Sequence, residues 1–133
     1  MHHFLTAQSP IYPTALAELR AGAKRTHWMW FIFPQIAGLG HSPMSQRYAL
    51  SGLEDARAYY AHPVLGPRLL ECTRAVLGHT DKSAHAIFGA PDDLKFRSSM
   101  TLFARAVPEE PVFRAALEAF YGGAEDPETV RRV

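Results

Sequence analysis

Apolar residues recur at helical spacing along the chain, in segments bounded by proline and glycine. In one of them Leu65, Leu69, Cys72 and Val76 are three or four residues apart, which places their side chains on one face of a helix. Prolines lie near the starts of such segments and glycines follow their ends, the positions that favour helix initiation and termination. The pattern predicts helices over about 13–22, 42–50, 53–61, 67–77, 84–88, 92–107, 111–121 and from 127 onward, with no element assigned to residues 1–12. We therefore predict a mainly α, compact single-domain multi-helix fold over residues 1–133.

One stretch lacks a clear period. From Trp28 to Phe33 every residue is apolar, and both tryptophans of the protein lie in this run. A short buried strand and a buried helical segment both fit such a run. No later segment offers an obvious partner strand, so we expect a buried irregular or short helical segment. Pro34 should end it, because a proline pushes the preceding residue towards an extended conformation.

Composition limits the classes of function. The formal net charge is +1, without the basic excess that is typical of nucleic-acid-binding proteins, so we expect no nucleic-acid partner. A single cysteine, Cys72, permits no internal disulfide, as is usual in a reducing compartment. No apolar run approaches the ~20 residues of a membrane-spanning helix, and the start of the chain lacks the pattern of a signal peptide. We expect a cytoplasmic protein with no membrane partner; the sequence leaves its oligomeric state open.

The sequence contains no clear motif for metal binding or for a catalytic nucleophile. None of the seven histidines is paired at the i, i+4 spacing of a helical metal site, so we expect neither a metal nor another cofactor. Cys72 lies in the middle of an amphipathic face, where a buried core residue is the simpler interpretation. Ser98 and Ser99 lack the flanking glycines that expose a serine nucleophile.

A glycine loop offers a better starting point for ligand binding. Gly38 and Gly40 precede Ser42 at a predicted helix start, where free backbone N–H groups can receive an anion. The alternative is a simple loop with a serine cap. Likewise, Trp28 and Trp30 suit stacking on a flat ligand, yet tryptophans among other apolar residues are commonly core. We expect most of this aromatic run to be core, with at most one ring left for a ligand.

Two adjacent serines in a predicted helix are the other unusual feature. Serine competes with helical hydrogen bonding, and neighbouring side chains on a helix point about 100° apart. One of Ser98 and Ser99 is thus expected to face a pocket and the other a neighbouring segment. The alternative is a close helix crossing that requires small side chains.

Together these residues resemble a known family. The run from His27 to Gln35, followed by Gly38, Gly40 and Ser42, is similar to the aromatic box of the family called domain of unknown function 1810. The resemblance continues through 62–66, 87–89, 93–95 and 98–103 and covers essentially the whole chain. It implies a mainly α-helical, soluble, stand-alone domain and no established activity. Some members bear a calpastatin label, but that inhibitor is long and disordered, whereas this chain has the composition of a packed domain.

The leading hypothesis is a domain that binds a small anionic, nucleotide-like ligand between the segments 24–42 and 95–99. Whether the protein also processes that ligand, as an enzyme would, is left open. The residues expected to contact the ligand are Lys24, Trp28, Trp30, Gln35, Gly38, Gly40, Ser42, Lys95, Ser98 and Ser99. His27 is the best catalytic acid/base, because imidazole is the side chain that exchanges protons near neutral pH. The alternative functions are a protein-interaction module that uses the aromatic run as a partner groove, and a purely structural role for all these residues.

Overall fold

The structure, a computed structural model, describes all residues from 1 to 133. It contains ten helices: α1 (His2–Gln8), α2 (Tyr12–Ala21), α3 (Met29–Ile32), α4 (Pro43–Arg47), α5 (Leu53–Ala61), α6 (Leu65–Leu77), α7 (Ala84–Phe88), α8 (Asp92–Ala106), α9 (Pro111–Tyr121) and α10 (Pro127–Arg132). No strand forms, and the one β-type contact is an isolated parallel bridge between Ile36 and Leu50. The predicted mainly α fold class is confirmed.

The helix ends follow local chemistry. The side chains of Ser42, Ser83, Glu110 and Asp126 each accept a hydrogen bond from a backbone N–H in the first turn of a helix. Such caps satisfy backbone donors that have no partner within the helix. Helix α6 begins at Leu65, two residues before the predicted start at Pro67. The earlier start is stabilised because His62 Nδ1 accepts hydrogen bonds from the backbone N–H groups of Val64 and Leu65.

Two local predictions were wrong. Residues 1–12 contain a helix, α1, which has no side-chain cap and packs on α3, where the buried Gln8 donates from Nε2 to the Phe31 carbonyl at 2.6 Å. Helix α4 ends at Arg47 and not near Leu50. The reason is a non-local pairing: Leu50 N–H donates to the Gln35 carbonyl at 2.9 Å, and Leu50 O accepts from Ala37 N–H at 2.8 Å.

Helix α8 lies at the centre of the core. It packs against α5, α7, α9 and α10 and buries Phe96, Met100 and Phe103 completely. The aromatic run joins this core from the other side, because Phe33 is fully buried and contacts Phe96 edge-on with ring centroids 5.0 Å apart. No helix combines the length and apolar character needed to cross a bilayer.

Hydrogen bonds to α8 also fix the last helix. Arg97 donates from Nε to the Ala124 carbonyl at 2.9 Å and from Nη2 to the Glu125 carbonyl at 2.7 Å. One turn further along α8, Thr101 Oγ1 accepts from the backbone N–H of Asp126 at 2.9 Å. These bonds hold the start of α10 beside the middle of α8, next to the loop that follows α3.

Candidate functional site

A cleft of about 250 Å³ lies where the loop after α3, the start of α8 and the start of α10 meet. Its lining residues are Trp30, Gln35, Ile36, Gly38, Leu39, Gly40, Ser45, Tyr48, Leu94, Lys95, Ser98, Asp126 and Glu128. Six of the residues expected from the sequence to contact a ligand are among them, namely Trp30, Gln35, Gly38, Gly40, Lys95 and Ser98. The structure thus brings together side chains that are more than 50 positions apart in the sequence.

Trp30 supplies the aromatic surface of the cleft. It is the one residue from Trp28 to Phe33 that is not buried, and its position on α3 turns its ring towards the cleft. The Lys95 Nζ atom lies 5.6 Å from the centre of that ring, a cation–π distance. A partly exposed indole with an ammonium group near its face is suited to receive a flat ring beside a negative charge.

The positive charge of Lys95 is only partly neutralised by the protein. Its Nζ lies 3.7 Å from Asp92 Oδ1, while Asp92 Oδ2 accepts a shorter contact, 2.8 Å, from the buried Lys24. One carboxylate therefore faces two ammonium groups, and the closer pairing belongs to Lys24. A net positive charge remains on the Lys95 side of the cleft.

The opposite wall is acidic. Asp126 Oδ2 accepts hydrogen bonds from Ser98 Oγ at 2.9 Å and from the N–H and hydroxyl of Thr129 at 3.2 and 2.6 Å. Burial raises the pKa of the Asp126 carboxyl, but the hydrogen bonds from Thr129, Ser98 and the backbone outweigh burial and hold the pKa below its ordinary value. Glu128 also faces the cleft, but Arg131 and Arg132 pair with it at 3.0 and 2.9 Å.

The glycine loop has a tight steric fit. Gly38 has φ of +97°, a region that favours glycine, and a Cβ there would lie 3.0 Å from Arg132 Nε. A Cβ at Gly40 would lie 2.5 Å from Ser45 Oγ. Beside this loop, the side-chain amide of Gln35 is half-buried and has no protein partner within hydrogen-bonding distance. The loop thus leaves a free amide at the cleft wall.

Several residues expected at a ligand site lie elsewhere. Trp28 is fully buried, and its Nε1–H donates to Glu18 Oε1 at 3.0 Å. Lys24 is buried against Asp92, donates to the Thr26 carbonyl at 2.6 Å and lies 4.9 Å from the Trp28 ring centre. These side chains do not line the cleft, because each already pairs with other groups of the protein.

The remaining three expected residues also fall outside the cleft lining. His27 is exposed to solvent. Ser42 caps α4, since its Oγ accepts from the Ser45 N–H at 3.1 Å, which fits the alternative of a serine-capped loop. Ser99 is fully buried, and its Oγ has no hydrogen-bond partner. Ser98 and Ser99 therefore separate as their helical spacing indicates, one facing the cleft and the other the interior.

Sequence reasoning missed the acidic side of the cleft. The residues expected to contact a ligand did not include Asp126, Glu128, Tyr48 or Leu94, all of which line the cleft. Nothing near Asp126 in the sequence signals the cleft, because its place depends on the hydrogen bonds that Arg97 and Thr101 make across α8.

The chain matches a known protein family and a solved structure. The family model described as "Protein of unknown function (DUF1810)" matches residues 1–133, the whole chain. The chain belongs to the DUF1810 family. It is also similar to a solved protein, the conserved hypothetical protein Rv1873 from Mycobacterium tuberculosis, with 55% sequence identity and a TM-score of 0.96. That match covers 98% of this chain and 93% of the mycobacterial chain. A comparison with curated proteins found no match.

The rest of this DUF1810 protein offers few reactive groups. No three His, Cys, Asp or Glu side chains lie close enough together to hold a metal ion. Cys72 is fully buried on α6, and burial raises the pKa of its thiol to about 12, so the thiol stays protonated and unreactive. The cleft itself presents an indole, an ammonium group, an amide, a hydroxyl and a carboxylate, which are suited to stacking, charge pairing and hydrogen bonding.

Proposed function

We propose that the cleft of this DUF1810 protein binds a small nucleotide-like ligand, whose aromatic base stacks on Trp30 and whose anionic group lies near Lys95. The observation that carries the proposal is the exposure of Trp30. The neighbouring members of the aromatic run are buried, whereas Trp30 lies half-buried in a concave site with an incompletely paired ammonium group above its ring.

The size and polarity of the cleft narrow the ligand class. Pockets for drug-sized ligands measure about 300–1,000 Å³, so a cleft of about 250 Å³ suits a nucleoside or mononucleotide better than a dinucleotide. Its lining combines apolar side chains with a few polar groups of different chemistry: an ammonium, a free amide, a hydroxyl and a carboxylate. Because these polar groups differ, only a ligand bound in one orientation can pair with all of them, which favours selective binding of one small molecule.

The alternative of a protein-interaction module receives less support. Five of the six side chains from Trp28 to Phe33 are buried in the core, so the aromatic run offers no broad apolar groove. Leu94 and Val133 are the large apolar side chains that are exposed, and single exposed apolar residues are common on monomeric proteins.

A melting screen with adenosine and guanosine 5′-monophosphates tests the proposal. A ligand at 100 times its dissociation constant stabilises the native state by about 2.7 kcal/mol, which raises the Tm by several degrees. Trp30→Leu and Lys95→Met should each reduce this shift, because they remove the stacking surface and the cation. Arg20→Met is the matched control, since Arg20 is an exposed cation on α2 outside the cleft.

The result that would overturn the proposal is equally direct. If neither mononucleotide shifts the Tm of the unmodified protein at millimolar concentration, the cleft does not bind this class of ligand. A shift that survives both Trp30→Leu and Lys95→Met would place the ligand at another site.

A further inference from the structure

Asp126 differs from the other charged groups around the cleft. Lys95 and Lys24 share Asp92, and Glu128 pairs with two arginines. Asp126 has no lysine, arginine or histidine partner, and hydrogen bonds alone hold its carboxyl below its ordinary pKa. It is therefore a carboxylate in the cleft wall without a paired cation.

The hydrogen bonds of Asp126 are unevenly divided between its two oxygens. Ser98 Oγ, Thr129 N–H and Thr129 Oγ1 all donate to Oδ2. No side chain donates to Oδ1. The backbone of Glu128 also lowers the pKa of the carboxyl, but no hydrogen bond of ordinary geometry joins its N–H to either carboxylate oxygen. A carboxylate can accept about four hydrogen bonds, so acceptor capacity remains on the residue that faces the cleft.

We infer that Asp126 selects the ligand of this cleft by accepting a hydrogen bond from one of its N–H or O–H groups. The inference rests on the proposed function and specifies the ligand further. In guanosine monophosphate we assign this donor to the exocyclic amino group of the base or to the 2′-hydroxyl of the ribose. Lys95 on one side and Asp126 on the other then give the cleft two unlike ends, one for the anionic group and one for the donor.

The substitution Asp126→Asn tests this role with little change of shape. Asparagine caps helix N-termini as well as aspartate does, so α10 should remain folded. The fixed Thr129 N–H requires an acceptor at the Oδ2 position, so the asparagine oxygen takes that place and its NH₂ group takes the place of Oδ1. The group offered to the ligand changes from an acceptor to a donor.

Calorimetric titration should measure the dissociation constants of three ligands. Guanosine monophosphate is compared with inosine monophosphate, which lacks the exocyclic amino group, and with 2′-deoxyguanosine monophosphate, which lacks one ribose hydroxyl. A hydrogen bond to a charged group contributes enough to change affinity by about 10- to 100-fold. We expect the unmodified protein to discriminate against one of the two analogues by such a factor, and the affected analogue identifies the donor.

The variants separate recognition from structure. Asp126→Asn should reduce that discrimination to about threefold or less while leaving the Tm within a few degrees. Asp126→Ser, which keeps a good cap but removes the carboxylate, should do the same if the asparagine variant folds poorly. Glu109→Gln is the matched control, and it should leave the discrimination unchanged because Glu109 is an exposed carboxylate that pairs with Arg57 outside the cleft.

Two kinds of outcome would contradict different statements. If guanosine monophosphate binds but the unmodified protein discriminates against neither analogue, the inference is wrong. It is also wrong, and Asp126 is only a helix cap, if Asp126→Asn and Asp126→Ser discriminate as the unmodified protein does; in both cases the cleft remains a ligand site. If none of the three ligands binds the unmodified protein, the proposed nucleotide site and this inference both fall.

Discussion

Two neighbouring tryptophans show how similar residues take different roles. Trp28 is fully buried and donates to Glu18, and Lys24 above its ring is buried against Asp92. Trp30, two residues later, lies half-buried in the cleft with the more exposed Lys95 above its ring. Both sites contain an indole and an ammonium group. They differ in whether the protein itself already satisfies the polar groups.

The first site is closed by internal hydrogen bonds. The Glu18 carboxylate accepts from the backbone N–H groups of Arg25 and Thr26, from the Thr26 hydroxyl and from the Trp28 indole. Burial raises the pKa of Glu18, but these bonds outweigh it and lower the pKa to about 2. We therefore regard the segment from Lys24 to Trp28 as a structural anchor and the cleft around Trp30 as the site left for a ligand.

The largest contrast is expected from removing each indole. Trp28→Ala should reduce the free energy of unfolding by about 3–5 kcal/mol, because it leaves a large cavity in the core. Trp30→Ala should cost less than about 2 kcal/mol, since its ring is partly solvated already. Urea denaturation of both variants measures the difference. Equal costs would contradict the division between an anchor and a cleft.

Replacing Lys24 should likewise destabilise the protein more than replacing Lys95. Lys24→Met should cost about 2–3 kcal/mol, because it leaves the half-buried Asp92 without its 2.8 Å partner. Lys95→Met should cost less than about 1 kcal/mol, since its contact with Asp92 is long and more exposed. A stable Lys24→Met protein beside an unfolded Lys95→Met protein would reverse the assignment.

A smaller effect should appear in the pH dependence of stability. Glu18 has a folded pKa of about 2 against an ordinary value of 4.5, so its ionised form stabilises the fold above pH 4.5. That contribution is lost progressively as the pH falls from 4.5 towards 2. The stability difference between the unmodified protein and Glu18→Gln, about 1–2 kcal/mol at neutral pH, should therefore shrink over this range.

Denaturation of both proteins at a series of pH values provides the measurement. Comparing the two cancels the titration of the other acids that they share. A difference that stays constant from pH 6 to pH 2 would show that the Glu18 charge does not contribute to the anchor.

Local signals predicted most of the fold, and non-local contacts account for the errors. Helices α5 and α7 occur as expected, because proline, serine and glycine mark their ends. Helix α1 carries no such mark, so tertiary packing on α3 decides its structure. The end of α4 was misplaced because Leu50 pairs with the backbone of Gln35 and Ala37.

The sequence predicted the side of the cleft formed by Trp30, Gln35 and Lys95, but not the acidic side formed by Asp126. The aromatic run, the glycine loop and the start of α8 carry unusual residue combinations that drew attention to Trp30, Gln35 and Lys95. The sequence could not distinguish Trp28 from Trp30, because their difference depends on Glu18, a residue of another helix. The acidic wall depends on Asp126, which only the tertiary hydrogen bonds of α8 bring into the cleft.

The most direct test of this account uses the two indole N–H groups as separate reporters in one NMR spectrum. The ¹⁵N–¹H signals of Trp28 and Trp30 are assigned with Trp28→Phe and Trp30→Phe, and the unmodified protein is then titrated with guanosine monophosphate. We expect the Trp30 signal to move with saturation, because its ring lines the cleft, while the Trp28 signal stays in place with its hydrogen bond to Glu18. If the Trp30 signal does not move, or both signals shift alike, the division of the aromatic run into an anchor and a binding site is contradicted.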